Sequence, residues 1–99
     1  MVVNALLYAF GNGEIRPIDI PDEEMAGTVE QKLKRAFFYG QNDFQPKPFC
    51  SLSAGDVVIL EGRNFLVKFC GFKELTADEL ERWAAIPRRE RAFHRMVLG

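Results

Sequence analysis

Residues 54–72 read AGDVVILEGRNFLVKFCGF. Ala54-Gly55-Asp56 is turn chemistry, and DVVIL follows as a short run of β-branched and aliphatic residues. A second turn near Gly62 and Asn64 leads into NFLVKFC, where Phe65, Val67 and Phe69 alternate with Leu66, Lys68 and Cys70. Two apolar runs joined by a Gly-containing turn specify a β-hairpin. Asp56 stands between Gly55 and Val57, where a carboxylate is suited to accept backbone N–H groups of the turn.

Upstream, Val2 to Phe10 is apolar on both alternating sets, the pattern of a strand buried on two faces. Gly11-Asn12-Gly13 tolerates positive φ and precedes a second extended run with Ile15, Ile18 and Ile20, which gives another hairpin. Pro17 lacks a ladder donor and places this second strand at an edge. Thr28 with Gln31 three residues on is a capping box, and Val29, Leu33, Ala36, Phe37 and Gly40 recur at helical spacing, so a helix ends near Gly40. Downstream, Thr76 and Glu79 form a second capping box, with Leu80, Trp83 and Ala84 facing the core. Pro87 interrupts that helix, and a last short helix is expected from Arg88 to Leu98. The order ββαββαα implies an α+β fold, in which two β-hairpins form an antiparallel or mixed sheet with helices packed on one face.

The chain has 99 residues, with nine Phe, two Tyr and one Trp. That length suits a single domain, residues 1–99, with one core, and the aromatic content excludes a disordered chain. Cys50 and Cys70 form no metal-ligand or redox motif and are read as free thiols. No apolar run reaches the roughly 18 residues needed to span a bilayer, and no signal-peptide pattern follows Met1, so a cytoplasmic location without membrane contact is expected.

The net charge of −1 hides a gradient. Glu14, Asp19, Asp22, Glu23, Glu24 and Glu30 stand against Arg16 alone near the start, whereas Arg88, Arg89, Arg91 and Arg95 stand against Glu90 from Pro87 onward. One reading puts each sign at the helix end its dipole prefers. The other makes Arg88, Arg89, Arg91 and Arg95 a phosphate-facing surface for nucleic acid, with Phe93 beside them to stack on a base. The overall balance lacks the strong basic excess of a dedicated nucleic-acid binder.

Catalytic signatures are sparse. His94 is the one histidine, and no local spacing activates Cys50, Cys70, Ser51 or Ser53. GNG at residues 11–13 is a hairpin turn rather than a phosphate cradle, and the dispersed carboxylates with one imidazole hold no metal site or cofactor. Asp43 and Asp56 could converge only through the fold. Residues 41–53, QNDFQPKPFCSLS, carry no helical or strand period and exceed the usual connection of about 4–6 residues. Gln41, Asn42, Asp43 and Gln45 are polar groups set between Tyr39 and Phe44. Their amides suit recognition of a peptide backbone or a base edge, and equally suit satisfying the loop's own backbone.

Tyr39-Gly40-Gln41-Asn42-Asp43-Phe44-Gln45-Pro46, then Ser51-x-Ser53-x-Gly55-Asp56-Val57-Val58, then Gly71-Phe72, resembles a pattern of small uncharacterised bacterial, plasmid and phage proteins. The Ser-x-Ser-x-Gly-Asp-Val segment is similar to the YodL-like domain. The resemblance covers residues 39–72 and implies a domain of unknown function associated with mobile elements, without catalytic residues to transfer. It draws attention to the loop that composition also singles out. The expected function is therefore a small non-enzymatic binding domain that presents residues 40–53 to a protein partner through Tyr39, Gln41, Asn42, Asp43, Phe44 and Gln45, with Phe44 as the apolar anchor. Nucleic-acid association through the C-terminal arginines is the alternative.

Overall fold

Strand β1 (Val2–Leu7) pairs antiparallel with β2 (Glu14–Asp19) and β3 (Val57–Leu60), and it buries Val3 and Ala5 on one face while Val2 and Asn4 are exposed on the other, so the burial expected on both faces holds on one. The computed structural model describes residues 1–41 and 51–91. Strand β4 (Arg63–Val67) pairs with β3, and β5 (Phe72–Leu75) pairs with β4, which completes a fully antiparallel five-stranded sheet of order β2-β1-β3-β4-β5. β2 occupies an edge, as Pro17 requires. The β3–β4 turn places Glu61 (φ 53°) and Gly62 (φ 72°) in the left-handed region, the geometry of a two-residue hairpin turn.

Helix α1 (Val29–Tyr39) starts at Thr28 and helix α2 (Ala77–Ala85) at Thr76, each with the reciprocal capping box that its sequence specifies. A short 3-10 turn over Asp22–Glu24 precedes α1. Ile86 caps α2 at its C-terminus, and Pro87 O accepts from the amides of Glu90 and Arg91 as the chain turns helical again over residues 88–91. The rest of the helix expected over residues 88–98 lies outside the described residues.

Three expectations change. The sheet gains a fifth strand, so the order is ββαβββα over the elements described, rather than ββαββαα. The residues FKEL of β5 are short and charged because the strand is an edge, where few side chains need burial. Phe69 does not continue β4 toward the core. The amide of Lys68 donates to Gly71 O at 2.9 Å and closes a turn with Phe69 and Cys70 at its corners, so Phe69 is 58% exposed.

The helices, finally, lie on opposite faces. Ile18, Ile20, Val3, Ala5, Val58, Leu60, Phe65 and Val67 form one core with Leu33 and Ala36 of α1. Val57, Leu66 and Leu75 form the other with Trp83 of α2. The physical reason is the apolar run of β3, in which Val57 and Val58 are both fully buried and point to different faces. Five strands span about 19 Å across, and a helix is about 10 Å wide, so one helix covers half a face. α1 contacts β2 and β3, whereas α2 contacts β5, so the covered halves are diagonal.

Candidate interaction site

The site begins with the parity of β2. Arg16 is in register with Ala5 and shares a face with Ile18, so its side chain rises beneath α1 rather than into water, and it is fully buried. Ala5 supplies the room because its side chain ends at Cβ. The guanidinium donates from Nη1 to Gly40 O at the C-terminus of α1, where helix carbonyls lack intrahelical partners and the macrodipole favours a cation.

The same carbonyl accepts from the amide of Leu52 at 3.2 Å. Leu52 is buried against Gly40, so closely that a Cβ on Gly40 would lie 2.6 Å from Leu52 Cδ1. Gly40 itself has φ −75°, so glycine is needed there for space and not for a left-handed backbone. Gln41 adds a second tie, with Nε2 donating to Phe37 O at 2.9 Å and to Leu52 O at 3.5 Å. The residues on either side of 42–50 are thus held at one point, a stem made by Arg16, Gly40, Gln41 and Leu52.

The expected binding residues divide on this geometry. Gln41 is half-buried, and its amide is committed to backbone carbonyls, the structural use of such a side chain. Tyr39 is also half-buried and donates its hydroxyl to the Glu24 carboxylate. That bond, followed by desolvation and the negative charges of Glu24 and Glu23, pushes the phenol above its ordinary value of 10.0. Phe38 packs edge-to-face on Tyr39 with ring centroids 5.3 Å apart and is 53% exposed. Asn42, Asp43, Phe44 and Gln45 lie outside the described residues, as do Cys50, Phe93, His94 and Arg95.

Asp56 has the turn role expected of it. Its Oδ1 accepts from the amides of Tyr8 (2.9 Å) and Ala9 (2.8 Å), and Oδ2 accepts from Ser53 (2.9 Å). The side chain therefore joins the end of β1 to the entry of β3 and, through Ser53, fixes the segment that follows the stem.

Arg91 requires correction. The sequence places it with the phosphate-facing arginines, but the structure leaves it 2% exposed. Nε donates to Tyr8 O at 3.1 Å and Nη2 to Gly11 O at 2.9 Å, while Nη1 reaches Ala84 O at 3.3 Å and also Ile86 O. The guanidinium lies 5.1 Å from the Tyr8 ring centroid. Its fork of donors suits these converging carbonyls better than a point-charge ammonium would. Arg88 is exposed and donates to Phe10 O at 3.3 Å, and Arg89 is exposed. Of the expected basic face, Arg88 and Arg89 are exposed among the described residues.

Sequence reading missed Arg16, Leu52 and the stem they make. The available signal was the alternation Arg16, Ile18, Ile20, which places the arginine on the buried face. No group of three or more His, Cys, Asp or Glu that could hold a metal occurs among the described residues, nor does a helix long and apolar enough to cross a membrane. No family model, curated protein or solved structure matches the chain.

Proposed function

We propose that this chain is a small non-enzymatic interaction module that offers residues 41–51 to a protein partner. The observation behind the reading is the double use of Gly40 O, which accepts from the buried Arg16 guanidinium and from Leu52 N. A segment whose two ends are fixed at one point has already lost part of its conformational entropy, so less remains to be lost on binding. In this reading Tyr39 and Gln41 support the stem, while Asn42, Asp43 and Gln45 provide polar contacts and Phe44 the apolar anchor. A non-enzymatic role is supported by the use of Asp56 and Arg91, whose polar atoms hold backbone groups. The cytoplasm is the compartment proposed.

Photo-crosslinking tests this reading. A photoreactive side chain at position 42 or 44, in the cells that make the protein, is expected to yield one discrete protein adduct. The same group at position 15 on β2 yields none. Loss of adducts at both loop positions, or the same adduct from position 15, overturns the proposal.

A further inference from the structure

The half of the sheet beside α1 that the helix leaves uncovered forms a groove of about 240 Å³ between α1 and the β4–β5 turn. Its apolar lining comes from Phe37 of α1 with Val67, Phe69 and Phe72, and its charged lining from Lys34 and Lys68. Phe69 is 58% exposed at the corner of the turn, a large aromatic surface left in contact with water.

The charges around the groove select its occupant. Among the described residues Lys68 pairs with no carboxylate, and Lys34 meets only Glu30, at 3.8 Å and with both side chains largely exposed. Such a surface pair holds its lysine weakly. Beyond Phe72 an adjoining hollow carries Glu30 and Glu74. Glu74 is already held by two hydrogen bonds from Arg63, at 2.9 and 2.6 Å. Glu30, on α1, meets Lys34 alone, so Lys68 is the charge lining the groove that no carboxylate among the described residues pairs.

We infer that this groove docks an acidic segment of a protein partner, which inserts an aromatic or large aliphatic side chain against Phe37, Phe69 and Phe72 and sets a carboxylate against Lys34 and Lys68. The apolar side chain gains burial, while the two lysines select acidic flanks over basic ones. This contact is independent of the segment offered at residues 41–51, because every residue in it belongs to α1, β4, β5 or the turn between those strands.

The test is a chemical-shift titration of the 15N-labelled full chain with three synthetic peptides: Asp-Glu-Phe-Glu-Asp, Asp-Glu-Ala-Glu-Asp and Lys-Lys-Phe-Lys-Lys. The first peptide is expected to shift the amides of residues 34–37 and 67–72, and each of the others to bind at least about tenfold more weakly. The double variant Lys34→Glu/Lys68→Glu, altered only at solvent-accessible charges, should keep its remaining spectrum and reverse the preference in favour of the lysine peptide. Absence of shifts with every peptide overturns the inference, as does equal response to acidic and basic peptides or a response that maps elsewhere. Concentration-dependent shifts of these amides without peptide would identify a second copy as the occupant and also overturn it.

Discussion

Gly40 joins the two ends of the 41–51 segment because it has no side chain. Its backbone is ordinary, so a substitution there meets a steric cost rather than a conformational one. Gly40→Ala is expected to destabilise the protein by about 1–3 kcal/mol through overpacking against Leu52. The cost should shrink in a Leu52→Ala background, where the colliding methyl is gone, so urea unfolding of the two single variants and the double variant should reveal non-additivity. Equal cost in both backgrounds would place the strain elsewhere. This residue-level detail was half legible. Gly40 reads as the end of a helix, but its contact with Leu52 joins residues on either side of a segment without period, and no local pattern encodes that pairing. Arg16 is more legible: the charge tally counts it as the one base among acids, and strand parity sets it beside the buried Ile18.

Both helices begin with the same device, which differs only in whether it titrates. Gln31 completes the box at Thr28, and Glu79 completes it at Thr76. The Thr76 amide, then Lys73 at 3.4 Å, hold the Glu79 carboxyl below its ordinary 4.5. A folded-state value below the unfolded one means that the carboxylate stabilises the fold above pH 4.5, and that this contribution disappears as pH falls through the lowered folded value. Glu79→Gln keeps an acceptor for the box and removes the titration. The melting temperature of the native chain should exceed that of the variant at pH 7, and the difference should fade as pH falls below 4.5. A constant difference would contradict the assignment. The caps were readable because they are local, as was the edge position of β2. The strand β5 was not, because FKEL has neither the length nor the alternation that marks a strand, and only its pairing with β4 makes it one.

At the scale of the molecule, the sheet is covered from both sides. The sign of this is the run of β3, whose consecutive residues Val57 and Val58 need cover on two faces, which helices on one face do not supply. Arg91 then closes the α2 side. It gathers carbonyls from the segment after β1 and from the end of α2, and so ties two regions that meet only in the fold. Arg91→Ala would strand those buried carbonyls and is expected to cost about 3 kcal/mol, whereas Arg89→Ala at an exposed position should stay within about 0.5 kcal/mol. Thermal unfolding of the pair checks this, and similar losses for both would remove the distinction between the buried and the exposed arginine.

Native-state hydrogen exchange at the Leu52 amide tests the stem. If Leu52 N–H is held by Gly40 O over the Arg16 guanidinium, this amide exchanges slowly, with protection comparable to that of core amides such as those of Val3 and Val58. Exchange at the rate of an unprotected loop amide would mean that Gly40 O does not hold Leu52 and that the stem does not form.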